Sequence, residues 1–405
     1  MDELPEEIVA KIFSYLIDGI SLIAVSQVCS YFKLVATTQV RSINIKLSSE
    51  KTDEIKYLQK SLEELSALKK LKLEVSFDVH NLEKSQFCHR HSNVITNLFL
   101  REMTFLNPFF ENPNILFPSL TSLTIENSDL TSCSAEITHF ILKCCPKLKT
   151  LTISGCSGLE IDSLNYIGQC LNQTVIENFQ LLPTYSYFDI SESPFIGHWT
   201  IENLKTFSIR SKLVVVKKNF AKNLISRPSD NLKTLELIAE IDFGENLTRK
   251  IIQNFHNLEK LSIGKGCLKI ENEDFIILCN FFKRLKSLEF HFSQSEIKLD
   301  MENLQENSSI IELTVGLTKN ITLDNLKVIA KCLPSVDRLS IIIYGYQLTS
   351  SNQEFLSFIT NIFPNVQHLE YQKTGMHENM KFTAIKDEID LPNFRHFDDI
   401  KYLTS

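Results

Sequence analysis

One frame recurs along the chain: apolar-x-x-apolar-x-apolar. It is clearest at Leu148-x-x-Leu151-x-Ile153, followed by Cys156 and Leu159. The same frame begins at Val40, Leu68, Ile95, Leu120, Leu148, Ile176, Leu204, Leu232, Leu258, Leu285, Ile310, Val336, Val366 and Phe394, at intervals of 25 to 30 residues. A period in that range makes each repeat one supersecondary unit that cannot bury its own apolar face and needs neighbours to do so. The 405 residues exceed what one ordinary core serves, and an elongated array removes that limit.

The period is that of leucine-rich repeats. Each frame predicts a short strand with its apolar residues inward and its x residues outward. Successive strands pair into one parallel sheet, and return segments, helical at 135–145, 274–282, 324–332 and 353–363, run between them. Burying each ladder side chain contributes about 1.5–3 kcal/mol. The expected fold is a right-handed α/β solenoid, with the parallel sheet on the concave side and helices on the convex side. Pro118, Pro146, Pro334, Pro364 and Pro392 each precede a frame by two residues, where they stop a helix without removing a sheet hydrogen bond. Cys156 fills the slot after the strand where such repeats place Asn or Cys, and Ser128 stands in the preceding unit's slot. Residues 76–93, with His80, Cys88, His89 and His91, read without a clear helix. Residues 182–200 lack a helical stripe but hold Tyr185, Tyr187, Phe188, Phe195 and Trp199. The last frame, Phe394-x-x-Phe397 followed by Asp399, reads as a weak C-terminal cap.

The segment before the repeats has a different character. Pro5 suits a first helical position, and Glu6 and Glu7 favour the start of the helix dipole. Ile8, Ile12 and Leu16 recur at helical spacing with Phe13 beside them. Asp18-Gly19 breaks this helix. Ser21 can cap a second one carrying Leu22, Val25 and Val28, and a third runs through Phe32, Leu34 and Val35. About forty residues cannot bury all of these. The repeats or a partner must cover the rest, and pattern alone favours a cap that seals the array.

Leu4-Pro5, Ile8, Ile12-Phe13, Leu16, Leu22, Val25, Val28-Cys29 and Phe32 resemble the F-box, over residues 2–46. The sequence departs from the family at Ile17, where proline is common, and at Phe32, where tryptophan is usual. The loop after the first helix is one residue longer. The resemblance implies that these residues dock the Skp adaptor, and through it the cullin and RING subunits of a ubiquitin ligase. The repeats, of the irregular cysteine-containing type, would hold a protein target. The implied organisation is a helical F-box at 1–46 and a solenoid of about 13–14 repeats over 40–405 with almost no linker. The alternatives are a repeat scaffold whose helices only cap the solenoid, and an adaptor-binding protein acting outside a ligase.

Composition narrows the rest. With 43% hydrophobic and 22% charged residues the chain is folded. The net charge is −7 and no block of five or more like charges occurs, so a nucleic-acid partner is not expected. The acidic start MDELPEE is no signal peptide, and no run of eighteen apolar residues spans a membrane. The expectation is a cytoplasmic or nuclear protein with ten reduced cysteines, whose triplets at Asn172, Asn246, Asn307 and Asn320 carry no glycan. No phosphate loop, nucleophile elbow or metalloprotease motif occurs, so neither enzyme nor cofactor is expected. Cys88-His89-Arg90-His91 lacks a second ligand pair, so no metal is assigned, and Cys144-Cys145 reads as a buried structural pair. The outward strand positions offer candidate target contacts at Lys70, Phe99, Arg101, Arg210, Arg338 and His368, within a face that also includes Lys72, Thr150, Thr152, Asn178, Gln180, Glu236, Glu289, His291, Glu370 and Lys373. Phe99 and the aromatic residues at 185–199 stand out as anchors, against local packing as the alternative. No dense arginine cluster points to phosphate recognition.

Overall fold

The structure, a computed structural model, describes residues 4–14, 16, 19–47, 52–77, 81–103, 115–130, 134–158, 167–168, 170–182, 188–189, 202–216, 228–241, 247–263, 272–291, 305–317, 323–344, 352–374 and 379–385. The chain divides into two compact units, residues 1–188 with 193–200, and residues 189–192 with 201–405.

In the first unit, helices α1 (Glu6–Ser14), α2 (Gly19–Ser26) and α3 (Ser30–Gln39) precede the strands. Strands β1 (Ser42–Leu47), β2 (Lys70–Ser76), β3 (Ile95–Arg101), β4 (Ser122–Glu126), β5 (Thr150–Ser154) and β6 (Asn178–Leu181) pair parallel in chain order. Between them run α4 (Thr52–Glu64), α5 (Asn81–Arg90) and α6 (Ser134–His139), the last continued by a π-helical turn at Phe140–Cys144. In the second unit, β7 (Thr206–Val216), β8 (Thr234–Ile241), β9 (Lys260–Ile263), β10 (Ser287–His291), β11 (Glu312–Leu317), β12 (Arg338–Tyr344) and β13 (His368–Thr374) are likewise parallel in order. Its helices are α7 (Leu247–Asn254), α8 (Asn272–Phe281), α9 (Leu323–Cys332) and α10 (Asn352–Ile362).

The frame is physically a ladder. From Ile43 and Ile45 to Leu369 and Tyr371, the second and third apolar residues of every described frame are buried. The first is buried too, except for the half-buried Leu68. The carbonyl after that first residue takes two N–H groups from the next repeat. Thr121 accepts from Lys149 and Thr150, and Lys233 accepts from Glu259 and Lys260. Asparagines just before the frame brace the turn of the preceding repeat: Asn257 donates to Asp230 O at 3.0 Å, and Asn365 to Pro334 O at 2.8 Å. Asn307 is buried and donates to Cys279 O and Phe282 O. At the strand exit the backbone turns left-handed at one slot in three successive repeats, Glu102, Asn127 and Gly155. A Cβ on Gly155 would strike the Asn127 side chain. Met103, Ser128 and Cys156 stack buried in the next slot, and Ser128 Oγ accepts from Met103 N at 3.1 Å.

Two expectations are corrected. Residues 81–90 are helical. The buried stripe is Lys84, Ser85, Phe87, Cys88, His91 and Ser92, a helical spacing hidden because only Phe87 and Cys88 in it are apolar. Lys84 buries its stem and donates to Ser76 O at 2.5 Å. The second unit also adds β14 (Asn379–Ile385), antiparallel to β13, where the frame foresaw only parallel strands. The aromatics Tyr185, Tyr187, Phe195 and Trp199, and the last frame at Phe394, Phe397 and Asp399, lie outside the described residues.

Candidate functional site

The three N-terminal helices expose one apolar strip and bury another. On α1, Val9 and Phe13 turn inward, and the Phe13 ring meets Phe32 edge-on at 5.7 Å. Leu4, Ile8 and Ile12 face solvent, the two isoleucines 46% and 47% exposed. The helix thus carries two apolar stripes, of which its own protein covers one. Leu22 is buried, while Leu16, Val25, Cys29 and Phe32 are half-buried and Val28 is 66% exposed. Ile20 and Leu34 add to the exposed apolar surface. The Ile8–Ile12–Phe13–Leu16 face of the sequence reading is therefore corrected: Phe13, and with it Leu22, belongs to the core.

Local caps hold this strip in place. Pro5 lies just before α1 rather than inside it, and its carbonyl accepts from Ile8 N and Val9 N. Tyr31 Oη donates to Leu4 O at 2.6 Å and ties the start of the chain to α3. Ser21 lies inside α2, and the side-chain cap falls on α3, where Cys29 Sγ accepts from Phe32 N at 3.4 Å. A cleft of about 390 Å³ between these helices and β1 is lined by Phe13, Leu16, Leu22, Arg41 and Asn44.

The second candidate surface is the outward face of the strands. In the first unit a chain of ion pairs alternates in sign across four strands. Lys46 meets Glu74 at 3.0 Å, Glu74 meets Arg101 at 2.6 Å, and Arg101 meets Glu126 at 2.5 Å. Lys70 stands exposed on β2, and Phe99 is half-buried between Glu74 and Thr124 in register. Beyond them, Thr150, Thr152, Asn178 and Gln180 form a neutral patch in which Asn178 donates to Thr150 at 3.3 Å.

The second unit centres on Glu236, a carboxylate 5% exposed. It accepts from Ser208 at 2.6 Å and pairs with Arg210 at 3.0 Å and Lys260 at 2.8 Å. Arg210 also reaches Glu289 at 3.2 Å, and His291 holds that carboxylate at 3.1 Å. Gly316 makes room for the His291 ring, since a Cβ there would overlap it. Arg210 and Glu289 sit three strand spacings apart, about 14 Å on a flat sheet. Arg338 pairs with Glu312 at 2.6 Å, and His368 is exposed beside Arg338 in register. The expected cationic contacts Arg101, Arg210 and Arg338 are thus each engaged by a carboxylate of the same face. Lys373 lies on β13.

Burial pushes Glu236 and Glu289 up. For Glu236, the hydrogen bonds from Lys260 and Ser208 outweigh it; for Glu289, His291 and the Arg210 charge do. Both carboxyls end below the usual range. In the first unit, burial lowers His91, whose ring packs on Phe87 at 4.8 Å. Its neighbour Cys88 points into the core, and burial raises that thiol. Burial likewise raises Cys144 and Cys145.

Two pH windows follow. Below the ordinary imidazole value of 6.5, the unfolded chain takes up a proton at His91 that the folded chain refuses, so stability falls as pH falls. Below the ordinary carboxyl value of 4.5, Glu236 and Glu289 stay charged longer when folded, and their stabilisation is lost as pH drops through their folded values. Urea midpoints measured from pH 7.5 to 3.5 are expected to fall in both windows. In His91→Leu the upper slope is expected to flatten and the lower one to remain; an unchanged upper slope would clear His91 of that role.

Residues 1–41 match the family model described as F-box-like. No curated protein matches the chain. Among solved structures, the chain is similar to a chain of "Crystal structure of Rad7 and Elc1 complex in yeast", with 15% identity, coverage of 89% of this chain and 87% of that one, and a TM-score of 0.45.

Proposed function

We propose that this chain, whose first 41 residues form an F-box-like domain, is the non-catalytic, target-binding subunit of a cullin–RING ubiquitin ligase. The observation that carries the reading is the uncovered strip of Leu4, just before α1, with Ile8 and Ile12 on it, beside a stripe of the same helix that is already packed. A seal over the repeats would leave no second apolar stripe in solvent. A docking edge keeps one there, held in place by a packed inner face, as here. In this reading the domain spans residues 1–46 and binds the Skp adaptor, and the adaptor links it to cullin and RING subunits. Repeats from residue 40 onward hold the target. The chain performs no bond chemistry. It raises the effective concentration of target lysines near the ubiquitin-charged enzyme, in the cytoplasm or nucleus and without a cofactor.

Co-expression with a Skp adaptor tests this. Wild type is expected to capture the adaptor in stoichiometric amount. Ile8→Asp with Ile12→Asp is expected to weaken capture by about 100-fold or more, because each isoleucine loses about 1.5–3 kcal/mol of burial. Wild-type chain that captures no adaptor, while well folded by circular dichroism, would overturn the ligase reading.

A further inference from the structure

The cleft of about 390 Å³ between the N-terminal helices and β1 combines an open strand edge with free positive charge. Among the described residues β1 pairs with β2 alone, so its other edge is open. Arg41 O accepts from Lys70 N at 3.0 Å, and along a strand the polar backbone groups of alternate residues turn to the same neighbour. Those of Ile43 and Ile45 therefore serve β2, and those of Ser42 and Asn44 face the open edge. Ser42 and Asn44 both line the cleft, together with the apolar Phe13, Leu16 and Leu22. An open edge of this kind is a template for one more strand.

The charge around the cleft is unspent. Arg41 lines it, and Lys70 and Lys72 stand on β2 in register with Ser42 and Asn44. All three are exposed, and among the described residues none of them is in an ion pair. Elsewhere on the outward face Lys46, Arg101, Arg210, Lys260 and Arg338 are each held by a carboxylate. Among the described residues no carboxylate lines this cleft. The complement to it is therefore an extended segment that brings carboxylates of its own.

The strand spacing sets where those carboxylates must stand. A segment added to the open edge lies about 4.8 Å from β1 and about 9.6 Å from β2. Its residues beside Ser42 and Asn44 point outward, and across those two short side chains they face the long ones of Lys70 and Lys72. The residue between them points inward, as Ile43 does, toward the apolar side of the cleft.

We propose that this cleft takes an extended segment of a target protein with the pattern acidic–apolar–acidic. The segment pairs with β1 through its backbone, turns its two carboxylates toward Lys70 and Lys72, and lays its apolar residue toward Leu16 and Phe13. The word target rests on the receptor reading; the site and its chemistry are testable without the adaptor.

The probe is an array of dodecapeptides in a Ser/Ala background, with two glutamates and one leucine in every arrangement, and the same set with one glutamate replaced by lysine. The array is exposed to the purified full-length chain. Peptides containing Glu-Leu-Glu are expected to be retained about tenfold above isomers with the glutamates adjacent, because only the alternating order places the leucine and both charges at once. Lys72→Glu, at an exposed position, is expected to reduce retention of Glu-Leu-Glu about tenfold and to move the preference to peptides with leucine between one glutamate and one lysine. A preference that moves with the charge cannot come from misfolding. Retention that follows composition alone, or a preference that Lys72→Glu does not move, would overturn the assignment. Adaptor capture on the same preparations keeps the two readings apart. Peptide selection without adaptor capture sinks the ligase role and leaves the cleft. Adaptor capture without peptide selection sinks the cleft alone.

Discussion

Phe13→Ala is expected to destabilise the N-terminal helices by about 3–5 kcal/mol, the usual loss for a buried phenylalanine, while Ile12→Ala one residue away costs no more than about 0.5 kcal/mol. The two side chains share a helix, are both apolar, and differ only in where the fold turns them. Phe13 is 2% exposed and packs edge-on against Phe32, which fixes α1 onto α3. Its removal leaves a void beside the cleft already present at Leu16 and Leu22. Ile12 touches little, so its truncation should be felt by a partner and not by the fold. Hydrogen exchange at the amides of α1 and α3 separates the cases. Exchange is expected to speed by about 100-fold or more in Phe13→Ala, since 1.4 kcal/mol is about tenfold, and to stay at the wild-type rate in Ile12→Ala. Equal protection in the two variants would mean that the inner and outer stripes are misassigned.

That contrast shows where sequence stops being legible. The ladder could be read because its slots repeat with a fixed spacing, and burial of Leu151, Ile153, Leu339 and Ile341 follows from that spacing alone. The two stripes of α1 could not be ranked, because Ile8–Ile12 and Val9–Phe13 have the same periodicity and only the packing of α3 chooses between them. α5 escaped notice because its buried stripe is built mostly from Lys84, Ser85, His91 and Ser92, which an apolar count ignores. The sign alternation of Lys46, Glu74, Arg101 and Glu126 lay open in the sequence at one slot per repeat. Reading the arginines as facing solvent hid the neighbour each of them meets across the strands. The Arg210–Glu289 contact was beyond reach, since its partners stand 79 residues and three strands apart.

Glu236→Ala is expected to cost about 2–4 kcal/mol, several times the loss from Glu312→Ala on the same face. A carboxylate that is almost wholly buried is kept only because three donors meet it, and here they come from two neighbouring strands, Ser208 and Arg210 on β7 and Lys260 on β9. Removing it leaves those donors aimed at an empty site. Breaking a fully buried pair costs about 3–5 kcal/mol. Arg210 and Lys260 keep a third or more of their side chains in water, which screens part of that loss. Arg338 is largely exposed and Glu312 partly so, and such pairs are worth about 1 kcal/mol or less. The cost at Glu236 should also depend on pH. Its carboxyl is held below the ordinary value of 4.5, so the difference between wild type and Glu236→Ala is fully present above that value and shrinks as acid protonates the folded carboxylate. Urea titrations at pH 7 and pH 3.5 measure both effects. The deficit of Glu236→Ala should be larger at pH 7 than at pH 3.5, whereas that of Glu312→Ala is expected to be small at both. A deficit at Glu236 that does not change with pH would mean that its packing, and not its charge, joins β7, β8 and β9. Because Arg210 answers to both Glu236 and Glu289, the same substitution frees it to bond Glu289 alone. Arg210→Ala should then add less to Glu236→Ala than it costs in wild type, a coupling that a double-mutant cycle reads directly.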